Sequence, residues 1–270
     1  MKKPIVILFI SILISGILKA QADTSFRLVK KIEGDIVAFT VDNLDNIYLL
    51  SSTNRIKKLN NNGDSVAVYN DVKKFGKATL IDVSNPLKIL LYFRDFTTIV
   101  VLDRFLNAVN TIDLRKQNIL QVRAIGQSYD NKIWVYDELD NKLKKIDEDG
   151  KLLQETIDFR LLFDKAPSPQ KIFDQDRYVY LYDSAQAVFV FDYFGTLKNK
   201  ILIAGWHNFK VTGKYIFGSS GNKLYRYDIA TFRTDEWNMP EELQQSLAFN
   251  FTSSRLYALK KGSIEIYSFR

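Results

Sequence analysis

One histidine, His207, and no cysteine bound the chemistry open to this chain. A zinc site of the usual imidazole type needs more than one His. Thiolate metal sites, Cys nucleophiles and disulfides are excluded outright. A Ser-His-Asp triad would have to recruit His207, and no Gly-x-Ser-x-Gly elbow is present to offer the serine. His207 stands in Ala204-Gly205-Trp206-His207-Asn208 and reads as a loop or packing residue. The remaining candidates are carboxylates: Asp42, Asp45, Asp82, Asp130, Asp174 and Asp176. Asp, Glu and Asn oxygens could hold calcium. Yet these residues recur at like positions along the chain, where Asp commonly caps a turn. A catalytic site would break a repeat rather than follow it. The expectation is turn capping, with no metal, no cofactor and no catalytic residue. A calcium-dependent hydrolase is the alternative.

The elements behind these residues come from an internal repeat, the feature to seek first. An apolar residue, two further residues and a larger apolar residue, often followed by Asp or Asn, recur six times. The copies are Ile56–Leu59, Ile99–Leu102, Leu143–Ile146, Val188–Phe191, Leu224–Tyr227 and Ile264–Tyr267. Their first residues are spaced 43, 44, 45, 36 and 40 apart. A strand precedes each copy, as in Ile47-Tyr48-Leu49 or Ile133-Trp134-Val135. Gly-ended turns such as Asn60–Gly63, Asp147–Gly150 and Asp192–Gly195 follow. Gly accepts the positive φ that such turns require.

Four short strands at a period near 40 predict the blades of a β-propeller, here six of them. The last unit ends at Arg270 one strand short. The segment 26–32, Phe-Arg-Leu-Val-Lys-Lys-Ile, supplies the missing outer strand, so the N-terminal strand should complete the last blade and close the ring. An open antiparallel sandwich is the competing architecture. A short helix is expected after Asn238, where Pro240 precedes Glu241 and Glu242.

Residues 1–22 read as a secretory signal: Lys2 and Lys3, then an apolar run from Ile5 to Leu18, then Ala20-Gln21-Ala22. Cleavage is expected after Ala22 or Ala20. Residues 23–270 then form a single domain, periplasmic or secreted. Of 38 basic residues, three leave with the signal, so 35 face 31 acidic ones, a mild excess near +4. No long basic run occurs, and nucleic acid is not an expected partner.

The phrases Asp45-Asn46-Ile47-Tyr48-Leu49 and Asp130-Asn131-Lys132-Ile133-Trp134-Val135 resemble the D-x-x-G-N-I-Y-V core of NHL-type six-bladed propellers, without its usual Gly. Propellers of this size include calcium-dependent lactonases, which gives the hydrolase alternative its form. The size, the signal, the absent Cys and the Asn/Lys/Ile/Tyr-rich composition are also similar to the periplasmic plug-like subunit of the Bacteroidetes type IX secretion translocon. That resemblance implies a non-enzymatic role, with a protein partner such as an outer-membrane translocon barrel.

On a propeller, the loops between blades and between second and third strands share one face. They carry Phe96, Leu162, Phe163, Trp206 and Trp237, expected as partner-binding anchors because loop aromatics commonly anchor interfaces. The Gly turns on the opposite face are expected to offer little apolar surface. Arg123, Lys171 and Lys210 fall on successive inner strands and could draw an anion or acidic peptide into the channel. A third reading is glycan binding, with Trp134, Trp206 or Trp237 as stacking platforms.

Overall fold

Side chains three apart on a strand point to opposite faces of the sheet. The repeated apolar pair therefore needs a sheet buried on both sides, and the fold provides one. A computed structural model describes residues 26–70 and 72–269. The proposed signal, residues 1–22, lies outside the described residues. Among those described, six four-stranded antiparallel sheets form the blades of a propeller. Their inner strands are Ala38–Val41, Leu80–Asn85, Val122–Gln127, Lys171–Gln175, His207–Thr212 and Ala248–Phe251.

Each repeated pair divides its members between two cores. Ile99 packs in the cluster between blades two and three, Leu102 in the one between blades one and two. Val188 and Phe191 divide likewise between the four–five and three–four interfaces. Leu224 and Tyr227 divide between the five–six and four–five interfaces. The same division in the other three blades yields six interblade cores in place of one central core.

The ring closes as predicted. Phe26–Glu33 pairs antiparallel with Ser263–Phe269, from Phe26 opposite Phe269 to Glu33 opposite Ser263. The outer strand of the sixth blade thus comes from the opposite end of the sequence, which leaves no unpaired seam. Tyr257 adds a clasp across the neighbouring interface: its hydroxyl donates to Asp45 Oδ1 at 2.7 Å.

The helix expected after Asn238 is Glu241–Gln244, with Leu243 buried beneath it. A second helix, Val72–Phe75, was not signalled by the sequence. It seats Phe75 against Phe93, ring centroids 5.1 Å apart. None of the described helices is long and apolar enough to cross a membrane.

Candidate functional site

The loop face is built from interblade connections, and the longest, 156–170, shows how its side chains are sorted. Asp158 opens a 3-10 turn over Phe159–Leu161 by accepting from the Arg160 backbone N–H at 2.8 Å. The Phe163 amide returns to the Phe159 carbonyl at 3.0 Å. That spacing puts both rings on the inner side. Phe159 is fully buried, and Phe163 packs edge-on against Phe159 and Phe189, with centroids 5.8 and 5.0 Å away. Leu161 and Leu162 face solvent instead, 79% and 45% exposed.

The other expected anchors divide in the same way. Phe96 closes the turn Arg94–Phe96, leans edge-on against Phe75 and stays 42% exposed. Trp206 is a wedge. Its indole stacks on Tyr225 at 4.8 Å, in a slot open only because residue 218 is Gly; a Cβ there would lie 2.7 Å from Trp206 Cε3. Trp237 is not on a loop. It belongs to the outer strand Thr234–Asn238, paired with Leu224, and meets Phe26 edge-on. Trp134 is 1% exposed and donates its Nε1–H to Asp174. Of the three Trp residues, Trp134 is withdrawn from solvent, while Trp206 and Trp237 are half-buried, each against another ring. The loop face also carries aliphatic side chains: Leu120, Leu202 and Leu247 are exposed on further interblade connections.

The opposite face is richer than its turn sequences imply. The expectation of little apolar surface there is corrected by Phe194, which stands 87% exposed at the tip of the turn closed by Gly195. Gly takes the positive φ, so the residue before it is pushed outward. Beside it Tyr129 and Tyr193 stack at 4.4 Å and 8°. Asp174 fixes this pair. It accepts from Ser128 Oγ, the Tyr129 backbone N–H, Trp134 Nε1 and Tyr193 Oη. Burial first, then the bond to Asp174, pushes the Tyr193 phenol upward. Lys145 lies over Tyr129 and Trp134 and is anchored by Asp130 at 2.7 Å. The Asp-Tyr-Phe-Gly turn was the sequence signal for this cluster.

The carboxylates considered as calcium ligands are engaged separately. Asp42 accepts from the Leu44 and Asn46 backbone N–H groups, Asn46 Nδ2 and Tyr48 Oη. Asp82 accepts from the Ser84 and Gln127 amides. Among the described residues no three His, Asp or Glu side chains converge as a metal would need. His207 begins an inner strand and is exposed.

The three cations of the inner strands part company. Arg123 sits at a strand bulge at the rim, 3.7 Å from Glu138. Lys171 and Lys210 lie in the channel, in electrostatic reach of Asp82 from a third blade. A tunnel-facing ammonium is touched by water yet ringed by protein, and desolvation holds both below the ordinary lysine value. Lys210 is depressed to about 8.

No protein-family model matches the chain, and a search of curated proteins finds no match. Solved structures do match over nearly the whole described chain. Virginiamycin B lyase from Staphylococcus aureus is similar at 13% identity and a TM-score of 0.63, covering 91% of this chain and all of that one. The Neurospora crassa Pan2 WD40 domain is similar at 10% identity and 0.63, covering 90% and 95%. The Myceliophteria thermophila Cps50 (Swd1) β-propeller domain is similar at 10% and 0.61, covering 91% and 100%. At such identities the likeness is one of fold.

Proposed function

We propose that this chain is a non-enzymatic, exported propeller that binds protein, serving as a periplasmic subunit of an outer-membrane protein complex such as the type IX secretion translocon. One observation carries the binding reading. The 156–170 loop is tied down by Phe159 and Phe163, yet it holds Leu161 and Leu162 in water. Rigid loops bearing exposed apolar side chains are a common form of binding surface. Phe96, Leu120, Leu202 and Leu247 extend that surface around the same face. Export is supported by the signal-like residues 1–22, and the translocon setting by the resemblance in size and composition.

The test is in-cell crosslinking in native envelopes, comparing wild type with Leu161→Asp/Leu162→Asp. The reading expects an outer-membrane barrel subunit crosslinked to wild type and lost from the variant, with the variant still folded. If that partner is lost instead from Asp147→Ala/Glu148→Ala, in a turn of the opposite face, the working face is wrong. Calcium bound stoichiometrically to the purified protein would favour the hydrolase alternative.

A further inference from the structure

The six interfaces of the ring are not equally closed. At five of them the inner strands of neighbouring blades lie against one another, while Ala38–Val41 approaches Leu80–Asn85 less closely. A cleft of about 450 Å3 opens there, between blades one and two. That lies within the size range of ligand pockets, roughly 300–1,000 Å3. Its lining comes from the starts of both inner strands and from Leu50 and Ile56, which flank a second-to-third strand loop, so it opens on the loop face. The walls are largely apolar: Val37, Phe39, Leu50, Ile56, Leu80 and Ile81. Ile56 is buried, Val37 is exposed and the others are half-buried. The Tyr48 and Thr79 hydroxyls in the wall are already used. Tyr48 donates to Asp42 at 3.0 Å, and Thr79 to the Tyr92 carbonyl at 3.2 Å. The cleft therefore suits a carbon group better than a polar one.

Its surroundings are basic. Lys77 is the charged residue of the lining, and the connection that carries it also holds Lys73 and Lys74, in the helix Val72–Phe75. Phe75 anchors that helix in the one–two core together with Tyr48 and Ile56 of the cleft wall. The Phe75 ring meets Phe96 edge-on at 6.1 Å, which brings the turn Arg94–Phe96 alongside. The Leu114 amide donates to the Thr97 carbonyl at 3.1 Å and adds the turn Leu114–Gln117, with Lys116. Lys73, Lys74, Lys77, Arg94 and Lys116 are exposed, and none is in an ion pair among the described residues. Arg115 does not count with them, because Asp113 holds it. The acidic residues of these stretches are Asp71 and Asp95, so five cations stand against two carboxylates.

We propose that the cleft between blades one and two takes a Leu or Phe side chain of the protein partner, carried on an acidic segment that lies across Lys73, Lys74, Lys77 and Arg94. The inference rests on the loop face being the binding face. Leucines stand exposed on several interblade connections and offer a partner several similar seats. One open cleft and one basic sector set this seat apart. An apolar anchor in a pocket supplies affinity, and the charges around it fix the register. The charge is also one-sided, since Glu241 and Glu242 are exposed on the five–six connection of the same face. An anionic membrane lying on that face would meet those carboxylates too, whereas a protein segment can match one sector alone.

Fluorescence anisotropy on residues 23–270 tests the cleft with three labelled hexapeptides. They are Glu-Glu-Leu-Phe-Glu-Glu, the same with Gln for every Glu, and the same with Ser-Ser for Leu-Phe. The first should bind at least about tenfold more tightly than either of the others. Val37→Trp, which fills the cleft from an exposed position, and Lys73→Glu/Lys74→Glu/Lys77→Glu should each weaken it by about tenfold or more. Absence of binding at millimolar peptide overturns the proposal, as does equal binding of the Gln or Ser peptide, or binding unchanged in either variant. Should a variant fail to fold, a nitroxide-labelled peptide decides. Broadening of the Val37 and Ile81 methyl signals supports the cleft, and unperturbed signals overturn it. Flotation with phosphatidylglycerol vesicles is the other arm. Vesicle binding lost from the lysine variant but kept by Val37→Trp assigns the patch to a membrane surface and overturns the proposal. The in-cell crosslink separates this inference from the reading beneath it. Loss of the partner from Leu161→Asp/Leu162→Asp with retention in Val37→Trp leaves the loop face standing and overturns the cleft. The reverse pattern supports the cleft and removes Leu161 and Leu162 from the contact, and retention in both overturns both.

Discussion

Phe26 and Phe269 stand opposite one another across the seam of the sixth blade, with ring centroids 5.9 Å apart. The start and the end of the described chain are thus cross-strand neighbours. Deleting residues 26–33 should remove the cooperative unfolding transition, because it exposes the edge of Ser263–Phe269 and takes Phe26 from the five–six core and Ile32 from the six–one core. Thermal denaturation followed by circular dichroism is the check. An unchanged Tm would mean that this strand does not close the ring.

Ile99 and Leu102 are three residues apart but belong to separate cores. Ile99→Ala and Leu102→Ala should each cost about 2–4 kcal/mol, as buried truncations do. Their double variant should equal the sum within about 0.5 kcal/mol, because residues without shared partners add. Urea denaturation reads all three values. A large coupling energy would show the two interfaces acting as one core.

Gly218 and Trp206 form a lock between strand and loop. Gly218→Ala should destabilise by about 1–3 kcal/mol through overpacking against the indole. The penalty should shrink in a Trp206→Ala background. If Gly218→Ala costs the same with and without the indole, backbone effects outweigh the clash.

Leu162 and Phe163 are adjacent yet face opposite ways. Leu162→Ala should change stability by no more than about 0.5 kcal/mol, as exposed substitutions do. Phe163→Ala, which removes a ring from Phe159 and Phe189, should cost about 2 kcal/mol or more. Chemical denaturation of the two variants distinguishes them. Equal effects would mean that the loop does not hold Phe163 inward.

Lys210 should give stability an unusual slope with pH. Its folded pKa is about 8, below the unfolded value near ~10.4. Between these limits the unfolded chain binds more protons, so this group's contribution to stability rises with pH. Relative to Lys210→Met, the wild type should therefore gain stability from pH 8 to 10. A difference that stays flat across that range would mean the ammonium is fully hydrated.

The architecture was legible because it is periodic and local. An apolar pair such as Val188–Phe191 on a strand declares a sheet buried on both faces. Turns such as Asp147–Gly150 mark where strands reverse, and the unmatched segment at Phe26 answers the short last repeat. Each of these signals lies within a few residues or repeats at a fixed interval. The site was less legible, because exposure on a loop depends on what another strand brings to it. Trp206 looked free until Gly218 and Tyr225 gave it a slot, and Trp237 until its strand paired beside Phe26. Arg123 and Lys210 look alike in the sequence, each a cation on an inner strand. Only the fold gives one a carboxylate at the rim and has the other donate across the channel to the Val41 carbonyl. Composition and spacing decide which residues form strands; the fate of a side chain is decided by neighbours tens of residues away, which only closure of the ring brings into contact.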